Sequence, residues 1–199
     1  VSPLTRFDRI CVFAGSSPGA RPEYAAAAAA LGALLAKSGI TVVFGGGSVG
    51  LMGVTATAAL EAGGEVIGII PAELDRREVA FDGLTELHVV DSMHERKAKM
   101  ADLAEAFILL PGGFGSIEEF VEVLTWNQLG IHAKPCGVLD VLGYWQPFLA
   151  MIDHGVQERF LRDEHRAMVL SSSDPVELLE QLTSTAMPAV PKWLDRSSR

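Results

Sequence analysis

The segment Leu110-Pro111-Gly112-Gly113-Phe114-Gly115-Ser116-Ile117-Glu118-Glu119 places an anion cradle beside two carboxylates. It follows an apolar run, Ala106 to Leu110, that reads as a buried strand, and it precedes an amphipathic run that reads as a helix. Gly112, Gly113 and Gly115 leave little side chain between a ligand and the backbone N–H groups. A helix N-terminus there adds partial positive charge, so the turn suits an anion such as phosphate. On this reading Glu118 and Glu119 fall in the first turn of that helix. A phosphate cradle and a carboxylate in one short segment point to chemistry on a phosphorylated sugar. Ser116 and Glu119 also have the S-x-x-E spacing of a capping box, and capping alone accounts for the same two side chains.

A second segment, Asp91-Ser92-Met93-His94-Glu95-Arg96-Lys97-Ala98-Lys99-Met100, follows the strand-like run Leu87 to Val90. Ser92 and Glu95 again have capping-box spacing, so a helix is expected to start here. Arg96 and Lys97 then lie within the first turn or so, where the helix dipole disfavours cations by about a few tenths of a kcal/mol. Placing two cations there suggests a use for them. Arginine offers a planar fork of donors for phosphate and stays protonated at ordinary pH. A solvated Arg–Lys pair is the bland alternative.

The elements that must position these residues alternate along the chain. Strands are expected at Ile10–Ala14, Thr41–Phe44, Val66–Ile70, Leu87–Val90, Ala106–Leu110, Cys136–Val141 and Ala167–Leu170. Helices are expected at Pro22–Lys37, Leu51–Ala62, Ser92–Leu103, Ser116–Leu129, Tyr144–His154 and Pro175–Leu182. Most of the strand runs are continuously apolar, as parallel strands covered on both faces should be. Regular β–α alternation predicts a single doubly wound, Rossmann-like α/β domain over residues 1–186. Its sheet of about seven strands is expected to be mostly parallel, with ligands beyond the strands' carboxyl ends. The tail from Met187, with Pro188 and Pro191, is expected to be loosely held.

Taken together, the two segments resemble the LONELY GUY family, also labelled lysine decarboxylase-like. The family pattern P-G-G-x-G-T-x-x-E is matched by Pro111 to Glu119, with Ser116 where threonine is usual; the hydroxyl is kept. A Met-His-x-Arg-Lys pattern is matched by Met93 to Lys97. The resemblance continues in Phe13-Ala14-Gly15-Ser16-Ser17, in Gly45 to Gly53, in Thr125 to His132 and in Lys134-Pro135, and spans roughly Arg9 to Leu170. It implies a cytokinin riboside 5′-monophosphate phosphoribohydrolase, which releases the free base and ribose 5-phosphate from an adenine-type nucleotide. AMP is an expected substrate too.

Glycosidic cleavage passes through a cation-like sugar that a carboxylate stabilises, and Glu119 matches the motif's final acid. Arg96 is its expected catalytic partner, binding phosphate or donating to the departing purine, and Lys97 adds positive charge. The substrate-binding set expected from the motifs comprises Gly112, Gly113, Phe114, Gly115, Ser116, Ile117 and Glu118, with Gly15, Ser16, Gly46 and Gly47 from the earlier loops. The resemblance also places Glu78 and Thr125 at the substrate. Two other classes stay open: a general purine-monophosphate glycosidase with no cytokinin preference, and a non-catalytic nucleotide-binding module.

Composition narrows the partners. A net charge of −9 over 199 residues argues against duplex nucleic acid or an anionic membrane as the main partner. The alanine-rich run Ala25 to Ala36 is too short to span a bilayer and reads as a helix packed closely on its neighbours. Cys11 and Cys136 read as buried free thiols, and a cytoplasmic setting is expected. The five histidines are scattered, so no metal is expected and chelators should have no effect. No cofactor is expected: neither Lys97 nor Lys99 is marked as a Schiff-base residue. Gly45 to Gly50 fits G-x-G-x-x-G, but the next strand ends Gly68-Ile69-Ile70-Pro71 without the acid that a dinucleotide's ribose requires. A mononucleotide-facing loop, or close backbone packing alone, fits those glycines better.

The helix after the glycine turn carries Phe120, Val121, Leu124, Trp126 and Leu129, a wider spread than one apolar stripe. Trp126 lies off the face shared by Phe120, Val121 and Leu124, so a second chain is expected to cover it, giving a homodimer or higher even homo-oligomer. Trp126 packing under a loop of its own chain is the alternative.

Overall fold

A computed structural model of the chain describes residues 7–75 and 81–185. Seven strands form one sheet: β1 (Arg9–Phe13), β2 (Thr41–Phe44), β3 (Val66–Pro71), β4 (Glu86–Val90), β5 (Ala106–Leu109), β6 (Cys136–Leu139) and β7 (Val169–Ser172). Their order is β4-β3-β2-β1-β5-β6-β7, and every pairing is parallel. The expected "mostly parallel" sheet is thus wholly parallel. The five inner strands are buried along nearly their whole length, whereas the edge strands β4 and β7 carry exposed or half-buried positions. That contrast follows from the apolar runs, because inner strands are covered on both faces.

Among the described residues eight α-helices accompany the sheet: α1 (Pro22–Lys37), α2 (Gly50–Glu61), α3 (Ala72–Asp75), α4 (Met93–Leu103), α5 (Phe114–Gln128), α6 (Gln146–Gln157), α7 (Asp163–Arg166) and α8 (Pro175–Ser184). Two separate apolar clusters cover the two faces of the sheet. One gathers Leu31, Leu35, Leu51 and Leu178 from α1, α2 and α8; the other gathers Met100, Phe120, Val123 and Leu149 from α4, α5 and α6. The helix α1 starts on Pro22 with Glu23 in its first turn and ends with Lys37 in its last, each at the favoured end of the dipole. Its Gly32 faces α2 so closely that a Cβ would stand 2.3 Å from the Thr55 carbonyl oxygen. The alanine-rich run is therefore a helix-on-helix seam. No helix among the described residues is long and apolar enough to cross a membrane.

The short helices α3 and α7 were not expected, and β7 begins two residues later than predicted, because Ala167 and Met168 lie in the turn after α7. Cys11 and Cys136 are buried free thiols, and burial pushes Cys136 up to about 12. The tail expected from Met187 lies outside the described residues.

The strand order reverses at β1, so the crevice between the carboxyl ends of β1 and β5 is the switch point at which such sheets bind ligands. The Gly15 N–H donates to the Pro111 carbonyl at 3.0 Å, tying the loop after β1 to the loop after β5.

Candidate active site

Arg96 and Glu119, 23 residues apart, meet at this edge of the sheet. The Arg96 guanidinium donates through Nη1 to Glu119 Oε1 at 2.8 Å. Both residues are buried, 8% and 9% exposed. Two carbonyls hold the same guanidinium: Nε donates to Ile69 at 3.1 Å and Nη2 to Gly45 at 3.4 Å. Three of arginine's five N–H groups are thus used on acceptors among the described residues, and two remain.

The helix α4 places Arg96 here. Ser92 caps it, accepting the Glu95 N–H at 3.1 Å, while Glu95 Oε2 accepts the Asp91 N–H at 2.9 Å. The capping box expected at Ser92 and Glu95 therefore forms, with the return bond made to Asp91. Arg96 is then the fourth helical residue, one turn in on the buried side.

The expected capping box at Ser116 and Glu119 does not form. Gly113 is the N-cap of α5 and the helix begins at Phe114, two residues before the predicted start. Ser116 is buried against Gly112, where a Cβ would stand 2.2 Å from Ser116 Oγ. Glu118 and Glu119 fall in the second turn, not the first, and no acid sits in the first turn. The physical reason is register: with the helix starting at Phe114, Ser116 is its third residue and cannot be the N-cap, and the Glu119 carboxylate turns to the buried guanidinium, a charge-assisted partner. Burial pushes the Glu119 carboxyl above its ordinary value, with Arg96 pulling the opposite way.

The first helical hydrogen bond of α5 runs from the Ile117 N–H to the Gly113 carbonyl at 3.1 Å. The N–H groups of Phe114, Gly115 and Ser116 precede it and point out of the helix end. Around Gly113 and Gly115 a Cβ would meet nothing within 4 Å, so these glycines border open space. Gly15 and Gly112 do the opposite and pack backbone to backbone, with a Cβ on Gly15 3.1 Å from Gly112 Cα. Ser16 is exposed, and its backbone is met by Gly50. Gly46 and Gly47 are buried, and the Gly46 carbonyl accepts the Phe81 N–H at 2.9 Å.

Other expected site residues are placed differently. Lys97 Nζ bridges Glu118 at 2.5 Å and Glu122 at 3.1 Å, and these carboxylates raise its pKa. Its charge is spent on tying α4 to α5 rather than added to the crevice. Phe114 is 94% exposed at the tip of α5, while Ile117 packs on the core. The Thr125 hydroxyl donates to the Val121 carbonyl at 2.7 Å, and Thr125 borders an apolar groove between α5 and α6 that includes neither Arg96 nor Glu119. Glu78 lies outside the described residues.

Trp126 is half-buried: it packs against the core and meets His132 edge-on at 6.4 Å, so a loop of its own chain covers part of it. Burial, with Lys134 nearby, pushes His132 down to about 4, which keeps that ring neutral near pH 7.

Two residues were missed. A Cβ on Gly45 would stand 1.8 Å from Arg96 Nη2, so this glycine is the seat of the guanidinium. The glycine-rich run drew attention to itself as a ligand loop, and nothing in it signalled a side chain from 51 residues away. Tyr144 donates its hydroxyl to the Gly112 carbonyl at 2.7 Å, reaching the glycine turn from the loop after β6. A tyrosine in an apolar context gave no such signal.

Comparison with known proteins identifies the family. The family described as "Possible lysine decarboxylase" matches residues 52–182. The cytokinin riboside 5′-monophosphate phosphoribohydrolase LOG of Oryza sativa subsp. japonica is 48% identical over 89% of this chain and 74% of its own length. The corresponding LOG7 of Arabidopsis thaliana is 48% identical over 89% of this chain and 82% of its own. Among solved structures, the molybdenum cofactor binding protein of Rippkaea orientalis has a TM-score of 0.67 at 25% identity, covering 90% of this chain and 98% of that one. The molybdenum cofactor carrier protein of Chlamydomonas reinhardtii, at 22% identity and TM-score 0.68, shares the fold. The motif order, the family match and the identity to the plant proteins make this chain a member of the LONELY GUY family of cytokinin riboside 5′-monophosphate phosphoribohydrolases.

Proposed function

We propose that this protein hydrolyses the N-glycosidic bond of cytokinin riboside 5′-monophosphates, and of AMP, releasing the base and ribose 5-phosphate. The observation that carries the reading is the buried Arg96–Glu119 pair beside an uncapped, glycine-lined helix N-terminus. The 5′-phosphate lies on the N–H groups of Phe114, Gly115 and Ser116. Ser116 and Glu119 are three residues apart, about 4.5 Å of helical rise, and side chains lean toward a helix's N-terminus. The Glu119 carboxylate therefore reaches back toward the phosphate, and the ribose ring spans the two.

As the C1′–N bond breaks, its electron pair leaves with the base and the sugar becomes cation-like. Ionised Glu119 stabilises that charge and takes a proton from the attacking water. Arg96 holds the carboxylate in place, its remaining N–H groups hydrogen-bond the departing base, and the base takes its proton from solvent water while Glu119 later returns the one it accepted to solvent.

The test is base release measured on adenosine, AMP and the N6-isopentenyl riboside monophosphate. Both monophosphates are expected to react far faster than the nucleoside. Equal rates on AMP and adenosine would remove the phosphate cradle, and no release from any of them would leave a binding module. The rate ratio of the two monophosphates decides between a cytokinin enzyme and a general purine-monophosphate glycosidase.

The working unit in this reading is a homodimer, with the site near the interface. The support is now the groove between α5 and α6, of about 490 Å³, rather than Trp126. It is bordered by Val121 and Thr125 and by Met151 and Phe160, which are 73% and 86% exposed. Apolar side chains so far out of the core are typical of interfaces. Light scattering at low micromolar concentration is expected to give at least twice the 21.2 kDa chain mass. A fully active monomer would refute it.

A further inference from the structure

We infer that Tyr144 is a positioning residue for the phosphate: its hydroxyl, by holding the Gly112 carbonyl, orients the Gly112–Gly113 peptide so that the Gly113 N–H joins the anion cradle. The inference rests on the proposed reading of α5 as a phosphate site.

In a trans peptide the C=O and the following N–H point in opposite directions. There are no cis peptide bonds among the described residues. The 2.7 Å bond from Tyr144 Oη to the Gly112 oxygen therefore aims the Gly113 N–H away from Tyr144. Among the described residues the Gly113 N–H donates to no backbone carbonyl, and a Cβ on Gly113 would meet nothing within 4 Å, so the residue borders open space. With glycine on both sides of this peptide, its orientation has few intrinsic restraints. An external clamp is what a glycine turn of this kind lacks, and Tyr144 supplies it.

The chain spends strain to put Tyr144 there. In the 3₁₀ turn Val141–Gly143, Leu142 has φ +56° and Gly143 φ +74°. A non-glycine residue in the left-handed region costs about 1–3 kcal/mol, and such strain persists only where the surroundings impose it. Here Asp140 imposes it: its carboxylate accepts the Trp145 N–H at 2.7 Å and also the side-chain amide of Gln146, closing the loop around Tyr144. The Tyr144 ring is flanked edge-on by Tyr24 of α1 at 5.6 Å and by buried Trp145 at 4.8 Å. The hydroxyl is thus held in place before any ligand arrives.

The test is Tyr144→Phe, which keeps the ring and removes the hydroxyl. Binding of inorganic phosphate and ribose 5-phosphate by calorimetry is expected to weaken about five- to ten-fold, the share of one hydrogen bond. KM for AMP should rise by the same factor, with kcat within about two-fold of wild type and the thermal midpoint nearly unchanged. Unchanged phosphate affinity, or a loss confined to kcat, would overturn the inference. Wild-type protein that binds neither anion would sink it together with the phosphate reading. Wild-type protein that binds both, and a Tyr144→Phe variant that binds them equally well, would sink this inference alone.

Discussion

Glu119→Gln and Arg96→Ala are each expected to lower base release by about 10³-fold, the scale of losing a preorganised charge in a buried site. Glutamine keeps an amide oxygen for Arg96 but cannot carry the negative charge that a cation-like sugar needs. Removing Arg96 acts through the same carboxylate. Burial already raises Glu119, and without the guanidinium it would be driven to the neutral form. Arg96→Ala also takes the guanidinium donors away from the Ile69 and Gly45 carbonyls, whereas Glu119→Gln keeps the arginine and an oxygen for it. Arg96→Ala should therefore lower the thermal midpoint more than Glu119→Gln does. Near-normal turnover in folded Glu119→Gln would show the acid to be structural.

The pH dependence carries a sign that separates the two roles. A carboxyl raised above its ordinary value of 4.5 loses its charge at a higher pH than a free one. The acid limb of kcat/KM should accordingly sit above pH 4.5 and belong to Glu119. For stability the same shift works the other way. Between 4.5 and the raised value the folded state binds the proton more tightly than the unfolded state, so this group's contribution to stability grows as pH falls. Activity falling while this group favours the fold is the expected signature, checked by comparing rate and unfolding profiles of the wild type and Glu119→Gln.

Gly45→Ala is expected to cost nearly as much activity as Arg96→Ala while leaving the fold largely intact. The added methyl would stand 1.8 Å from Arg96 Nη2, and the backbone of Gly45 is not in the left-handed region, so alanine fits the chain but not the guanidinium. The side chain that must yield is flexible, so the fold survives. What it gives up is the 2.8 Å bond to Glu119 and the bond to the Gly45 carbonyl. Base release and thermal midpoint, measured on one preparation, check this. Full activity would mean that Arg96 works from another position.

Much of the fold was legible because its signals are local. Continuous apolar runs announced buried parallel strands, and their alternation with helical runs announced a doubly wound sheet whose ligands gather at the carboxyl edge. Ser92 and Glu95 marked a helix start that the fold keeps. Ser116 and Glu119 carried the same spacing without forming a box: α5 starts at Phe114, and the Glu119 carboxylate goes to a buried cation brought in from α4 that no local pattern contains. Trp126 shows a related limit: angular position on a helix says which way a side chain leaves, not how much of it a later loop covers.

The sequence by itself therefore determined the fold class, the family and the identity of the two charged residues most suited to the chemistry, since each rests on periodicity or on motifs within a dozen residues. Only the tertiary structure decided that Arg96 and Glu119 are partners, that Lys97 is spent on Glu118 and Glu122, that Gly45 is a seat for a guanidinium and that Tyr144 clamps Gly112. Those are contacts between residues 21 to 51 positions apart. They are set by strand order and by which helix lies over which strand, and the free energy that selects them is the burial of two apolar faces rather than any preference of the contacting residues themselves.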